Sequence, residues 1–198
     1  MKMTPEDSLT WIKSRRSVFP KEFNEDPVSR EEVHALLEVA RWAPTHKVTE
    51  PWRFQVFMGE AKSALAKTQI QGLYNAKGKN DDTEMKAKKF AMIAERSSAV
   101  IAIVLHRDPL MRVPRYEEEW AVAAAVQNIH LHAQSLEIGM YWSTGASKGS
   151  PEVDALLGLE GEDLHMGWIY LGKYAGLKSL HKERKVSEDY VTWRYGGL

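Results

Sequence analysis

Ala99-Val100-Ile101-Ala102-Ile103-Val104-Leu105 and the later run Ala121-Val122-Ala123-Ala124-Ala125-Val126 decide the fold class. The first is rich in β-branched residues and apolar on both faces, as expected of a central strand covered on each side. The second lies inside a longer pattern, from about 117 to 136, that reads as a helix closed by Gly139 just past its end. Because the middle of that helix is apolar all round, it should be buried on most sides, and its small residues permit close backbone approach, including across a subunit boundary. Upstream of the central strand, Arg53-Phe54-Gln55-Val56-Phe57 alternates with period two and reads as a strand ending at Gly59. Between the two strands, residues 60–96 are helical in pattern but interrupted at Gly72, Gly78 and Asn80-Asp81-Asp82. That segment is the candidate for a mobile lid. Downstream, residues 139–145 read as a strand, Pro151 to Leu157 as a short helix, and Met166 to Tyr170 as a strand ending at Gly172.

The N-terminal third is helical. Thr4 before Pro5-Glu6-Asp7 is a helix start, with Arg15-Arg16 near that helix's end, where cations suit the dipole. Ser29-Arg30-Glu31-Glu32 has capping-box spacing, with Val33, Leu36, Leu37 and Ala40 on one face and Pro44 after the end. Helices and strands interleave without a βαβ rhythm, so an α+β domain spanning residues 1–198 is expected.

Composition narrows the function. Lys and Arg together number 27, balanced by 27 Asp and Glu, which argues against a general nucleic-acid binder needing surplus positive charge. No cysteine is present, which excludes disulfides, thiolate metal sites and thiol nucleophiles and fits a reducing compartment. The N-terminus lacks the apolar region of a signal peptide, and no apolar run approaches the roughly 20 residues that span a bilayer. A cytoplasmic protein is the expectation.

Several motifs fail on their own terms. Gly167-Trp168-Ile169-Tyr170-Leu171-Gly172-Lys173 has the Gly and Lys spacing of a phosphate loop, but Tyr174 stands where a magnesium-holding hydroxyl is needed. His130 and His132 lie two apart on a helix and so do not share a face for a metal. A hydrogen-bonded helix histidine is the better reading, and Trp11 and Trp120, in helical patterns, are expected in the core.

Three segments hold chemistry. Arg15-Arg16-Ser17 sets two guanidiniums and a hydroxyl at a helix-to-loop junction, a natural clamp for phosphate. Ala43-Pro44-Thr45-His46-Lys47 follows a helix end and precedes Glu50-Pro51-Trp52-Arg53-Phe54, presenting a cationic pair on a loop. Tyr141-Trp142-Ser143-Thr144-Gly145 offers backbone N–H groups and hydroxyls beside a large aromatic.

In this order, the three segments resemble the FMN-dependent nitroreductase family, and its compact bacterial branch in particular. The resemblance covers nearly the whole chain. It implies an α+β sandwich with a central, mostly antiparallel sheet flanked by helices, forming an intertwined homodimer with flavin at the subunit interface. It further implies that Arg15, Arg16 and Ser17 hold the FMN phosphate and ribityl chain, and that His46 and Lys47 lie near the flavin, Lys47 at its N1–C2=O edge. Trp142, Ser143 and Thr144 would lie beneath the ring, Trp42 would reach the partner subunit's flavin, and Lys182 and Arg184 would add phosphate contacts. Glu50 departs from the branch, which commonly has Gln there, and could pair with Arg53 or Lys47 or add negative charge near the flavin and lower its potential. The implied reaction passes hydride from NADH or NADPH through FMN N5 to a nitroaromatic or quinone acceptor, in ping-pong. The alternative is a flavin-binding sensor or storage protein without turnover.

Overall fold

The computed structural model describes residues 3–145, 147, 149–176 and 184–196. Four strands, β1 (Trp52–Met58), β2 (Ala99–Leu105), β3 (Ile138–Ser143) and β4 (Leu164–Lys173), form one sheet in the order β1-β2-β4-β3. Every neighbouring pair is antiparallel. Among the described residues, six α-helices surround it: α1 (Pro5–Ser14), α2 (Arg30–Glu38), α3 (Glu60–Lys77), α4 (Asp81–Arg96), α5 (Arg115–Ser135) and α6 (Pro151–Leu157).

β2 is buried at all seven positions, as its two apolar faces require. Strand side chains alternate, so Ala99, Ile101, Ile103 and Leu105 share one core with Leu36 of α2 and Val122, Val126 and Ile129 of α5. The alternate residues Val100, Ala102 and Val104 point the other way, into a core with Leu65, Ile93, Val153 and Leu157 from α3, α4 and α6. The sheet is thus sandwiched between helical layers. Among the described residues, no helix is long and apolar enough to cross a membrane.

Capping follows the sequence closely. Thr4 and Ser29 each accept from the backbone N–H three residues on, while Asp7 and Glu32 return the bond to the cap residue.

Two glycines behave differently from the pattern reading. Gly72 does not interrupt its helix; it is a buried position of α3, which runs unbroken to Lys77. A Cβ there would lie 2.0 Å from Ser150 Oγ, so this glycine lets α3 seat against the start of α6. Gly139 is likewise not the cap of α5. That helix ends at Ser135 with Leu136 as its C-cap, and the left-handed position after it is taken by Glu137 at φ 54°. Gly139 belongs to β3, where a Cβ would stand 2.9 Å from the Phe23 ring.

Candidate functional site

The first segment leaves α1 at its C-cap, Arg15, and runs along the outer edge of the sheet. Val18 N–H donates to the Met140 carbonyl at 3.0 Å, and the Phe19 and Tyr141 rings pack with centroids 4.6 Å apart. Arg15-Arg16-Ser17 is thereby brought beside edge strand β3, the strand that carries Trp142 and Ser143. The Trp142 indole N–H reaches the Met166 carbonyl at 3.4 Å, which fixes the ring against β4. Ser143 Oγ accepts from Gly145 N–H at 3.2 Å, shaping the turn that exposes Thr144.

The two arginines point to different partners. Arg16 Nη1 donates to the Arg15 carbonyl at 2.8 Å and to the Lys13 carbonyl, closing the end of α1 with a cation. Arg15 is half-buried against α5, where its Nη1 lies 3.3 Å and 3.4 Å from the two ring nitrogens of His130. Burial lowers the Arg15 guanidinium below its ordinary pKa, and the charges of Arg184 and Arg16 lower it further. The C-terminal segment therefore returns to this point, through Arg184; Lys182 lies outside the described residues. Among those described, no carboxylate forms an ion pair with Arg15.

The second segment sits at the opposite end of α5. His46 Nδ1 is 2.5 Å from Glu117 Oε2 in the first turn of that helix. Lys47 Nζ donates to the Arg112 carbonyl at 3.1 Å, in the loop that leads into it. Lys47, Val48 and Glu50 all have positive φ, at 52°, 52° and 43°. Left-handed backbone at three non-glycine residues costs on the order of 1–3 kcal/mol each and is concentrated where a loop must present groups in one orientation. Thr45 Oγ1 supports the loop by accepting from Glu50 N–H at 3.2 Å. The Glu50 carboxylate takes neither expected partner: Arg53 donates to its backbone carbonyl at 2.9 Å, and Lys47 goes to Arg112.

Trp42 closes the Val39–Trp42 turn with its ring 75% exposed and the Arg41 guanidinium 5.7 Å from the ring centroid. Trp120 is also outside the core, 65% exposed on α5 and packed on Tyr116 at 4.8 Å. Trp11 is half-buried. The helical pattern around Trp120 could not separate a face turned to the core from one turned outward. α1 buries none of its residues within the chain and leaves Leu9 and Ile12 exposed.

Within one chain the predicted residues therefore form two groups. Arg15 and Arg16 meet His130, with Arg184 near enough to act on Arg15, and their segment is joined to β3, the strand of Trp142 and Ser143, through Val18 and Phe19, whereas His46 and Lys47 meet Glu117 and Arg112. Thirteen residues of α5 separate Glu117 from His130, roughly 20 Å at the α-helical rise. Sequence reasoning did not pick out Glu117 or the Arg112 carbonyl, and it read His130 only as a hydrogen-bonded helix residue. Their roles depend on contacts between distant segments that no local spacing announces.

A four-stranded antiparallel sheet between two helical layers, with Arg15 and Arg16 on the segment that runs beside its edge strand, defines an α+β sandwich. The Nitroreductase family model matches residues 12–173, and the chain belongs to that family. It is 33% identical over 162 residues, 81% of each chain, to a Bacillus subtilis protein named "Putative NAD(P)H nitroreductase YfhC". Among solved structures it is similar to a nitroreductase-like family protein from Bacillus cereus, at 25% identity and a TM-score of 0.80, covering 99% of this chain and 100% of that one. It also shares its fold with the FMN-dependent nitroreductase NfnB from Mycobacterium smegmatis in complex with NADPH, at 19% identity and a TM-score of 0.71, covering 95% and 98% of the two chains.

Proposed function

We propose that this chain is an FMN-dependent oxidoreductase working as a cytoplasmic homodimer, taking electrons from NADH or NADPH and delivering them to a nitroaromatic, a quinone or a similarly electron-poor small molecule. FMN, when bound, supplies the hydride chemistry that no side chain here provides. The observation that carries the reading is Arg15: a half-buried cation with two more guanidiniums acting on it and no carboxylate paired with it among the described residues. Like charges gathered at a partly desolvated point are unfavourable by themselves, and a phosphate dianion is the chemistry that would reverse the sign. The donor set therefore fits the phosphate end of FMN.

Each group of residues then has a task. Arg15, Arg16, Ser17 and Arg184 would bind the phosphate and ribityl chain, with Lys182 joining them. Trp142, Ser143 and Thr144 would support the ring from the edge strand and offer it hydroxyl and backbone donors. Lys47, exposed and held by a single carbonyl, would bring positive charge to the ring edge where negative charge accumulates on reduction. His46 would orient that loop through Glu117.

Two copies are required for those tasks to meet. Arg15 and Arg16 lie against His130 in the C-terminal half of α5 and His46 and Lys47 lie against its N-terminal end, so an antiparallel pairing of two α5 helices would set one copy's arginines beside the other's loop. The exposed Tyr116 and Trp120 on α5 and the unburied face of α1 are the apolar surfaces such a pairing would cover. Trp42 would then face the second copy.

The absorption spectrum of freshly purified protein is the direct test. It should show oxidised flavin, release FMN on heating, and bleach on anaerobic mixing with NADH or NADPH. A preparation that takes up no added FMN overturns the cofactor assignment. Flavin that stays yellow with both nucleotides overturns the oxidoreductase assignment.

A further inference from the structure

His130 is a buried titratable group to which the reading above gives no task. Its ring makes two contacts with consecutive residues of the N-terminal segment. Nε2 lies 2.9 Å from the Arg16 backbone carbonyl, an acceptor, so Nε2 carries the proton and Nδ1 the lone pair. Arg15 Nη1 is almost equidistant from the two nitrogens, 3.4 Å from Nδ1 and 3.3 Å from Nε2. An atom in the plane of the ring at those distances would collide with ring carbons. The guanidinium therefore lies over the face of the imidazole, where the π electrons attract a cation.

We infer that His130 is the positioning residue for the phosphate clamp: one neutral imidazole holds the Arg16 backbone by its edge and the Arg15 guanidinium on its face, and so sets preference for a phosphorylated flavin over the unphosphorylated one. The inference rests on the assignment of Arg15 to the phosphate. A neutral ring is essential to it, since an imidazolium would repel Arg15 and lose its ability to stack. Burial provides that neutrality by holding the His130 pKa down to about 4, with the Arg15 charge acting in the same direction. Because α5 is anchored in the core through Val126, Ile129 and Ala133, the ring's position is fixed by the sandwich itself, independently of the loop it orients.

The test compares His130→Leu, which keeps bulk but has neither donor nor π face, with His130→Gln, which keeps an N–H at similar reach. FMN and riboflavin affinities are measured by fluorescence quenching on the dimeric protein freed of flavin. The expected result is that His130→Leu binds FMN at least tenfold more weakly with riboflavin affinity unchanged, and that His130→Gln recovers only the part carried by the bond to the Arg16 carbonyl. A His130→Leu protein that keeps the parent's FMN-to-riboflavin ratio, or loses both ligands equally, overturns the proposal. If the parent itself does not prefer FMN, the assignment of Arg15 to phosphate fails first, and this result is visible without any variant. Nitrogen-15 spectra of histidine-labelled parent protein at neutral pH give an independent reading should His130→Leu not fold. They should show the Nε2–H tautomer for His130, and the Nδ1–H tautomer would overturn the proposal.

Discussion

Replacing Arg15 by Gln separates what the residue does for the folded chain from what it does for a ligand. In the free protein Arg15 is a half-buried cation crowded by Arg184 and Arg16, so removing its charge relieves desolvation and repulsion together. Against that relief stands the lost contact over the His130 ring, worth about 0.5–1 kcal/mol for a stacked cation. The two terms oppose, and the melting temperature of the flavin-free variant should stay within about 4 °C of the parent, given roughly 2–4 °C per kcal/mol for a chain of this size. FMN affinity should respond quite differently. A hydrogen bond to a charged group contributes about 1.5–3 kcal/mol net, so losing the Arg15 contact to phosphate should weaken FMN roughly 10- to 150-fold. Riboflavin, lacking the phosphate, should be bound as before. Fluorescence-quenching titrations at fixed low salt, paired with thermal melts, measure both sides. FMN affinity within about threefold of the parent, a change below roughly 0.7 kcal/mol, would refute the reasoning.

Three other outcomes follow from the packing and the charges. Gly72→Ala gains about 1 kcal/mol of helix propensity but places a Cβ 2.0 Å from Ser150 Oγ, an overpacking that costs about 1–3 kcal/mol, so a net loss of up to about 2 kcal/mol is expected. Differential scanning should show a lower melting temperature, and a higher one would mean that α3 does not seat on α6 as described. Trp120→Glu puts a charge on the outward face of α5; sedimentation should show monomers and the bound flavin should be lost, while an intact dimer would exclude that face as the subunit contact. Arg112 holds the Asp108 carboxyl down to about 2 from 3.8 through hydrogen bonds at 2.7 Å and 3.1 Å, so the stability this pair contributes is complete above about 3.8 and disappears as pH falls towards 2. Arg112→Gln should therefore lower stability at pH 5 and flatten its fall between those values, as urea titrations across the acid range would register; parallel curves would rule out the pairing.

Much of the architecture is visible in local pattern. The two-faced apolar strand at residues 99–105, the capping boxes at Thr4 and Ser29, and the short helix Pro151–Leu157 are where the pattern puts them. The misreadings have specific causes. Gly139 looked like a helix cap because glycine readily adopts left-handed backbone, yet Glu137 takes that position and the glycine is needed for the close approach of Phe23. Gly72 looked like a break because its partner, Ser150, is remote in sequence. Trp120 looked like core because it borders residues 121–126, a run apolar all round that has no polar side to reveal which of its faces the chain itself covers.

The sequence by itself determined the strands, the capped starts of α1 and α2 and the chemical character of the Arg15, His46 and Trp142 segments, since these depend on side-chain periodicity and residue type within a few positions. The tertiary structure alone decided which of those segments meet. It set Arg15 on the His130 ring and beside β3, and it placed His46 and Lys47 at the far end of α5. Such neighbours are brought together by the burial of the sheet between its two helical layers, an interaction spread over the whole chain and absent from any short stretch of it.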